Sequence, residues 1–426
     1  MEEVVSEFES ARERCLLVAL QQRDGKEHEV AEHLAELARL AWTAGGEVCG
    51  EMTFKRGKPH PGYFVGEGQA KSISEEVEEQ NVATVIFDDE LSPAQGRNIE
   101  RIVKAKVLDR TQLILDIFAR HAATRAGRLQ IELARMQYTL PRLRRMWTHL
   151  ERQRGGIGLR GGPGEQQIEV DRRLIEERIT RLRGELEGVR KHRAERRKGR
   201  RRHGWALVSL VGYTNAGKST LLNRIAAADV EADDKLFATL DPTTRRIKLP
   251  NNQDVLLTDT VGFIRKLPHG LIESFQATLE EVRESDLLLH VIDTSHPEAE
   301  AQIDAVEDVL REIGADDKPL LMVLNKCDLA GSKRQAARLR RRFARSVEIS
   351  ARDGTGIDDL QHALADALKY RNTELHLRIP ISEGGLISSL QASANILDSE
   401  YDGEFAIFRV RVPERLLGEC KPYIKQ

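Results

Sequence analysis

The chain has 426 residues, 40% of them hydrophobic and 31% charged, with a formal net charge of −2. Such a chain can bury a sizeable core, which excludes global disorder, and at roughly 150 residues per domain it has room for two to four domains. No apolar run reaches the roughly 18 residues of a membrane span. The acidic start MEEVVSEFES is unlike a signal peptide, and the four cysteines are scattered. We therefore expect a protein of the cytoplasm with no membrane insertion, no disulfide framework and no zinc site.

The first part of the chain, residues 1–110, alternates short apolar runs with helical patterns. The apolar runs are CLLVAL, EVCGEMTF, VATVIFDD and KVLD, and the helical patterns between them are HEVAEHLAELARLAW, KSISEEVEEQ and NIERIVKA. This alternation predicts an α/β domain with a small parallel sheet and crossover helices. The Gly- and Pro-rich stretch at residues 54–68 is expected to be a structural loop.

Residues 111–203 differ in composition and are predicted to form an arm of two helices. Between Arg120 and Arg202 there are 24 basic residues, 22 of them Arg, against 10 acidic ones, so this segment carries a formal charge of +14. Residues 112–140 are helical in period, Pro141 is expected to break or kink the helix, and the pattern then resumes. The stretch GGIGLRGGPG at residues 155–164 has six glycines in ten residues, which argues against a helix there.

An apolar seam follows the glycines. Four of its residues are spaced seven apart: Ile168, Ile175, Leu182 and Val189. Two more, Ile179 and Leu186, come four positions after Ile175 and Leu182. Two helices joined by a glycine tip predict an antiparallel hairpin that reaches about 40–50 Å at 1.5 Å per residue. A charge run is usually a solvated helix face, but this one is dominated by Arg, whose planar fork suits phosphates. We expect the arm to contact RNA, and no DNA.

In residues 204–369 strands and helices alternate again, now with sharp motifs. The apolar run WALVSLV is followed by GYTNAGKS and the helical pattern LLNRI, which is a P-loop in its required context. The loop consists of Gly212, Tyr213, Thr214, Asn215, Ala216, Gly217, Lys218 and Ser219. Its glycines let backbone N–H groups point at phosphates beside a helix N-terminus. Lys218 is expected to reach the β- and γ-phosphates, and the Ser219 hydroxyl to ligate Mg²⁺.

The next motif is DTVG. It consists of Asp259, Thr260, Val261 and Gly262 and lies 40 residues after Ser219. The carboxylate can hold the metal through water, and the Gly262 N–H can meet the γ-phosphate. Many GTPases place a Gln directly after this motif to orient the attacking water, whereas this chain has Phe263, whose ring cannot hydrogen-bond water. We therefore expect slow hydrolysis by the isolated protein.

The base is predicted to be read by NKCD. Asn325, Lys326, Cys327 and Asp328 follow an apolar strand. The Asp328 carboxylate can accept from guanine N1–H and its 2-amino group, a donor pair that adenine lacks, while Lys326 packs along the base. After the run SVEIS, the segment Ser350, Ala351 and Arg352 can offer a backbone N–H to guanine O6. Together these motifs indicate a P-loop enzyme that hydrolyses GTP to GDP and phosphate.

The stretch KLFATLDPTTRRI lies between the P-loop and DTVG. One of its threonines must give a hydroxyl to Mg²⁺ and a backbone N–H to the γ-phosphate, and the chemistry alone leaves Thr239, Thr243 and Thr244 open. Such a loop is expected to order on GTP and relax on hydrolysis. Residues 370–426 follow the GTPase part. Their strands HLRIPIS and FAIFRVRVP and their helix through LISSLQASANI predict a small α+β domain that carries no chemistry.

The motifs GYTNAGKS, FATLDPTTR, DTVGF, NKCD and SAR, preceded by GGIGLRGGPGEQQIE, resemble the HflX family of ribosome-associated GTPases over almost the whole chain. The resemblance implies the same four-part architecture, with GTP or GDP and Mg²⁺ as ligands. It also implies that Thr239 is the switch threonine, within Phe237, Ala238, Thr239, Leu240 and Asp241. The hydrophobic residue at position 263 is shared with the family. Arg352 replaces its commoner Lys, which matters little for a backbone contact.

The resemblance further implies binding to the large ribosomal subunit and its RNA, with separation or rescue of stalled ribosomes. We predict a monomeric, cytoplasmic GTPase whose GTP form binds ribosomal RNA through the arm and is released by hydrolysis. Two alternatives are a ribosome-assembly GTPase that binds a precursor subunit and a GTP-dependent adaptor that regulates a membrane protease. A third is an RNA-unwinding ATPase with a second nucleotide site in the N-terminal domain.

Overall fold

The computed structural model divides into two compact units, the first built mainly from residues before Glu187 and the second mainly from Glu187 onward. It describes residues 12–21, 27–146, 163–202, 205–226, 236–237, 239–266, 276–368 and 372–425. The domain limits that the sequence suggests, after residues 110, 203 and 369, stay predictions.

A four-stranded parallel sheet opens the first unit. Its strands are β1 (Glu13–Gln21), β2 (Gly46–Lys55), β3 (Thr84–Phe87) and β4 (Lys106–Asp109), in the order β2-β1-β3-β4. They alternate along the chain with helices α1 (Glu27–Thr43), α2 (Glu67–Glu79) and α3 (Pro93–Val103). The core holds Leu16, Val18 and Phe87 from the strands together with Ile73 and Ile99 from the helices. The predicted parallel α/β domain is therefore confirmed.

The predicted long helix after β4 is two helices, α4 (Arg110–His121) and α5 (Arg125–Met146). The chain leaves the helix at Ala122, whose backbone is extended, and Thr124 accepts a hydrogen bond from the Gly127 N–H at the start of α5. Pro141 lies inside α5, so the helix is not broken there, and of the predicted break or kink only the kink stays a prediction. Proline in a helix costs roughly 3 kcal/mol, and the contacts of the neighbouring Arg142 offset part of this.

Arg142 and Tyr138 bind α5 to the carboxyl end of β4. The Tyr138 hydroxyl donates to Asp109 at 2.8 Å, and the Arg142 guanidinium donates to Asp109 at 3.1 Å and to the Leu91 carbonyl at 2.9 Å. The guanidinium also lies 3.3 Å from the centre of the Tyr138 ring. Burial, and then the Asp109 charge, raise the pKa of Tyr138 well above its ordinary value. These contacts fix the C-terminal part of α5 on the sheet.

The partner of α5 in the arm is α6 (Pro163–Arg202). Arg125 pairs with Glu185 and Arg178 with Glu132, so residue numbers rise on one helix as they fall on the other. The helices are therefore antiparallel, as predicted. Between them the apolar residues are Leu129 and Leu133 from α5 with Ile179, Leu182 and Leu186 from α6, and Ile175 packs beside them.

The glycine tip lies mostly outside the described residues, which stop at residue 146 and resume at Pro163. Helix α6 begins at Pro163, so Gly164 is helical, although the sequence argued against a helix throughout residues 155–164. Proline suits the first helical position, where its missing N–H would have no helical partner.

The second unit holds a six-stranded sheet. Its strands are β5 (Ala206–Gly212), β6 (Thr243–Lys248), β7 (Asp254–Asp259), β8 (Leu287–Asp293), β9 (Leu320–Asn325) and β10 (Ser346–Glu348), in the order β10-β9-β8-β5-β7-β6. Only β6 is antiparallel to its neighbour among these strands. The helices described here are α7 (Lys218–Ala226), α8 (Gln276–Arg283), α9 (Ala299–Glu312), α10 (Ser332–Arg342) and α11 (Ile357–Ala367).

A three-stranded antiparallel sheet ends the chain. Strands β11 (Asn372–Pro380), β12 (Asn395–Asp402) and β13 (Phe405–Pro413) have the order β11-β13-β12, with helices α12 (Gly384–Ser393) and α13 (Glu414–Cys420). This confirms the α+β prediction. The predicted helix ends at Ser393 rather than Ile396, and β12 and α13 were missed, because β12 is a largely exposed strand that lacks apolar alternation.

Two further findings concern membrane-spanning helices and cysteines. Among the described helices, none combines the length and the apolar composition that crossing a bilayer would require. All four cysteines are free thiols in the structure.

Candidate nucleotide-binding site

The predicted motifs converge on one edge of the six-stranded sheet. The P-loop follows β5, Asp259 ends β7, Asn325 ends β9, and Ser350 comes two residues after β10. These four strands are parallel, so their carboxyl ends lie along one edge, which is where ligands bind in open α/β sheets. Motifs separated by more than 100 residues in sequence, such as Gly212 and Asn325, thus face a common crevice.

Two P-loop glycines are required by their surroundings. Gly212 has φ 151° and Gly217 has φ 94°, values that side chains rarely adopt. A Cβ on Gly212 would lie 2.3 Å from the Val291 carbonyl oxygen, and one on Gly217 would lie 2.3 Å from Asn325 Nδ2. The loop can therefore follow this tight path only with glycine at both positions.

Lys218 is buried under the loop that precedes it. Its Nζ donates to the carbonyl oxygens of Tyr213 at 2.8 Å and Gly212 at 3.2 Å. Burial lowers the pKa of Lys218 to about 8, and the nearby Asp259 carboxylate opposes this shift. An anion at the loop would favour the charged ammonium form and raise this pKa again, so the site favours a negatively charged ligand.

Ser219, Thr239 and Asp259 bring three oxygens together. Ser219 Oγ lies 2.7 Å from Thr239 Oγ1 and donates to Asp259 Oδ2 at 2.6 Å. Asp259 Oδ1 is buried and has no hydrogen-bond partner among the described residues. Burial also raises the pKa of Asp259. Because hydroxyl and carboxylate oxygens are the ligands of hard divalent cations, and a cation would satisfy the orphaned oxygen, this set fits Mg²⁺.

The DTVG segment is bonded to the P-loop through its backbone. The Phe263 N–H donates to the Gly212 carbonyl at 3.1 Å, and the Thr214 N–H donates to the Phe263 carbonyl at 2.8 Å. The Phe263 side chain is 1% exposed and faces the interior. A Cβ on Gly262 would lie 2.8 Å from Thr214 Cγ2 and 3.1 Å from Lys218 Nζ, so the segment passes directly over the loop.

Two residues of this region complete the description of the motif. Thr260 is fully buried and donates its hydroxyl proton to the Leu210 carbonyl at 2.6 Å, and Val261 is also buried. Both side chains therefore face away from solvent, and a contact with the nucleotide through their backbone stays a prediction.

The switch segment is described in part. Phe237, in a left-handed conformation at φ 60°, and Leu240 are buried, whereas Thr239 and Asp241 are half-buried. Ala238 lies outside the described residues. Of the three candidate threonines, Thr239 is next to Ser219, while Thr243 and Thr244 belong to β6 and the Thr244 hydroxyl is 2.9 Å from that of Thr258. The geometry favours Thr239.

Asn325 joins the base-reading motif to two other segments. Its Nδ2 donates to the Ala216 carbonyl of the P-loop at 2.8 Å, and its Oδ1 accepts from the Ala351 N–H at 2.9 Å. One N–H of the segment predicted to meet guanine O6 is therefore engaged by Asn325 here. The Cys327 N–H donates to the Ile349 carbonyl at 3.1 Å, while Asp328 is exposed and accessible to a base.

Sequence reasoning missed two residues that hold this region. Asp293 ends β8 and accepts an ion pair from Lys326 Nζ at 2.7 Å, which fixes the lysine beside the motif. Arg224 on α7 donates to the carbonyls of Ala351, at 3.2 Å, and Arg352. The available signal was weak. Asp293 is a charged residue directly after the run LLLHVI, but nothing in the sequence pairs Arg224 with a loop more than 120 residues away.

Family models match most of the chain. They are described as GTP-binding GTPase N-terminal, over residues 31–119, GTP-binding GTPase Middle Region, over residues 121–200, and 50S ribosome-binding GTPase, over residues 207–326. Among solved structures, a crystal structure of SsGBP in complex with GDP is 26% identical, with a TM-score of 0.48, and the match covers 83% of this chain and 98% of that chain.

Relatives match over nearly the full length. A GTPase HflX of Lacrimispora saccharolytica is 44% identical over 412 residues, which is 96% of each chain. A GTPase HflX of Escherichia coli K12 is 48% identical over 385 residues, or 90% of each chain. The P-loop, the DTVG segment and the NKCD motif lie along one edge of the sheet. Together with this similarity, they show that the chain belongs to the HflX family of GTPases and is an enzyme that hydrolyses GTP.

Proposed function

We propose that this GTPase binds the large ribosomal subunit through its arm while GTP is bound, and that it separates or rescues stalled ribosomes. The observation that carries the proposal is the continuity of α6. This helix extends without a break from Pro163 to Arg202, and β5, which leads into the P-loop, begins at Ala206. The match to a model described as a 50S ribosome-binding GTPase supports the choice of partner.

The charge along the arm limits where RNA contacts fall. Residues 171–187 hold five basic and five acidic residues, and within this stretch Arg172 pairs with Glu176 and Arg173 with Glu177. Residues 188–202 hold nine basic residues against one acidic residue. The excess charge of this stretch therefore lies in the last part of α6, where phosphates would be neutralised.

A link from the arm to the nucleotide site is available in the second unit. Arg190, in the last third of α6, forms an ion pair with Glu280 of α8 at 3.3 Å. Helix α8 follows the DTVG segment in sequence, with residues 267–275 between them outside the described part of the chain. A movement of the DTVG segment on loss of the γ-phosphate would be transmitted to α6 through the pair of Arg190 and Glu280. This gives hydrolysis a route to release RNA.

The site residues take the following roles in this proposal. Lys218 binds the phosphates and the Gly262 N–H meets the γ-phosphate. Ser219 and Thr239, with Asp259 beside them, would hold Mg²⁺, which would neutralise charge on the phosphates. Asp328 reads guanine, and Asn325 holds the P-loop and the Ser350–Ala351–Arg352 segment together around the base. The protein acts as a monomer in the cytoplasm.

The test of ribosome binding compares two pairs of arm arginines. Replacing Arg196 and Arg197 by Gln should weaken cosedimentation of the GTP-bound protein with large subunits and lower its salt dependence. Replacing Arg172 and Arg173 by Gln removes the same charge from the balanced stretch and should change little. Equal effects of the two pairs would contradict the placement of the RNA contacts.

The test of subunit separation removes residues 155–164. This deletion should leave GTP binding intact and abolish the release of subunits from intact ribosomes in a sedimentation profile. The six glycines leave little side chain to pack, and they permit a close approach to a crowded surface. Release as efficient as with the full-length chain would show that the tip is a linker. A protein found on precursor subunits alone would instead favour a role in assembly.

A further inference from the structure

A basic cavity lies in the second unit, and none of the residues that line it belongs to the P-loop. Its volume is about 620 Å³. One wall is the turn at residues 294–297 before α9, and the other is the face of α10 that carries Arg334, Arg338 and Arg341. None of the residues that line it is acidic. The three arginines are four and three residues apart, so they share one side of the helix.

The helix that forms this wall is strongly basic. Residues 332–345 include one Lys and six Arg and no acidic residue. Three of these arginines are neutralised, since Arg338 pairs with Glu300, Arg340 with Glu348 and Arg342 with Asp304.

The other basic side chains of this helix and its end remain available. They have no ion pair or hydrogen bond to another described residue, and all of them are exposed: Lys333, Arg334, Arg341 and Arg345. Two of these four, Arg334 and Arg341, line the cavity. The cavity therefore offers uncompensated positive charge to an anion.

Both walls are fixed by bonds to the base-reading region. The Ser295 N–H donates at 2.9 Å to Asp293, whose other oxygen pairs with Lys326. The Ser332 hydroxyl lies within hydrogen-bond distance of the carbonyls of Cys327, at 3.0 Å, and Leu329, at 2.7 Å. Because both walls of the cavity are held in this way, the arginines project from a fixed backbone, which lowers the entropic cost of binding an anion.

We propose that this cavity and the exposed side of α10 bind the phosphates of a single RNA strand. The exposed, unpaired basic side chains are spread along α10 and its end, and Arg334 and Arg341 alone are seven residues, about 10 Å, apart along the helix. A chain with several phosphates fits this spacing better than a free phosphate does. Guanidinium groups also suit phosphate oxygens through paired hydrogen bonds. The surface is separate from the arm, and only the identification of the strand as ribosomal rests on the proposed function.

The test is the salt dependence of RNA binding. The full chain carrying Arg334→Gln and Arg341→Gln is titrated onto a short fluorescein-labelled single-stranded RNA over a range of salt concentrations. Loss of two phosphate contacts should weaken binding and lower the slope of log K against log salt by about 1.4, at roughly 0.7 per contact. The control carries Arg311→Gln and Lys318→Gln, which remove two charges from the far end of α9 and beyond it, and its slope should match that of the unmodified chain.

GDP binding should be unchanged in both variants, which shows that the GTPase domain is folded. A slope and an affinity equal to those of the unmodified chain would overturn the proposal, as would an equal loss in the control. Poly-glutamate that displaces the RNA as well as unlabelled RNA does, at equal charge concentration, would overturn it in favour of an acidic protein partner. None of these outcomes depends on ribosomes, so the proposed function can stand or fail independently.

Discussion

The hydroxyl oxygens of Ser219 and Thr239 lie 2.7 Å apart, although 20 residues separate them in the chain. Ser219 also donates to Asp259, so a P-loop residue, a switch residue and the end of β7 meet at one point. The chemistry of the sequence left three threonines open, and this distance distinguishes among them. Thr244 is instead bonded to Thr258 between β6 and β7.

Thr239→Ala should therefore raise the Mg²⁺ concentration needed for half-maximal GTP hydrolysis by about tenfold or more, since even indirect metal-site partners have effects of this size. Thr243→Ala and Thr244→Ala are the matched controls and should change it little. The measurement is the rate of phosphate release as Mg²⁺ is varied. If Thr239→Ala were silent and either control were not, the switch threonine would be misassigned.

Asp328→Asn should shift the base preference from guanine toward xanthine. Xanthine carries an oxygen where guanine has its 2-amino group, so an amide that donates matches it better than a carboxylate does. The Asp328 side chain is exposed, so we expect its replacement to leave the domain folded, and a change in base preference would then reflect a lost contact with the base. Asp353→Asn, at another exposed carboxylate, is the control. In competition binding, a variant at 328 that keeps a strong preference for GTP would remove Asp328 from base reading.

His290→Leu should make the GTPase domain less sensitive to acid. His290 is buried in β8, and burial, aided by the charge of Lys218, lowers its pKa from 6.5 to about 3. Between pH 6.5 and pH 3 the unfolded chain binds a proton at this histidine and the folded chain does not, so protonation favours unfolding. The free energy of unfolding is therefore unaffected by His290 above pH 6.5 and falls as the pH drops toward 3. The cost is about 1.4 kcal/mol per pH unit, or about 2 kcal/mol at pH 5.

Urea unfolding at pH 7 and pH 5 measures this effect, with the GTPase transition identified as the one that GDP shifts to higher urea. The free energy of unfolding should fall less between the two pH values in His290→Leu than in the unmodified chain. The exposed His362, replaced by Gln, serves as the control and should behave as the unmodified chain does. An equal fall in all three proteins would show that His290 is not the acid-sensitive group.

Much of the fold follows from local pattern. Every strand and helix predicted between Cys15 and Asp109 is present, because each combines an apolar run or a helical period with a buried face. The elements that were missed depend on their surroundings. Strand β12 is held by backbone pairing to β13 and exposes most of its side chains, and α5 continues through Pro141 where the contacts of Arg142 hold it.

The candidate site divides in the same way. The phosphate-binding and base-reading motifs could be predicted because each is a short continuous stretch of sequence with a recognisable order of residue types. The bonds that tie the motifs together could not, since Arg224 reaches Ala351 and Asp293 reaches Lys326 only after the sheet has formed. The orientation of Phe263 was also open, because a sequence shows that a ring cannot bind water but not which way the ring points.

Phe263→Gln should not produce a faster enzyme. The Phe263 ring is 1% exposed, and both its N–H and its carbonyl are bonded to the P-loop on either side of Tyr213. A Gln at this position would therefore be directed into the interior rather than toward an attacking water. Burial of an unpaired amide and loss of the ring should destabilise the GTPase domain by roughly 3 kcal/mol. Phe263→Leu keeps the site apolar and should cost less.

Single-turnover GTP hydrolysis, with and without large ribosomal subunits, separates these effects. The unmodified chain should be slow alone and at least about tenfold faster with subunits, because an outside group must orient the water that Phe263 cannot. Phe263→Leu should retain this stimulation, since the backbone bonds to the P-loop do not depend on the ring. Faster hydrolysis by Phe263→Gln alone would show that residue 263 can turn toward the phosphates, and equal rates with and without subunits would show that no outside group is needed.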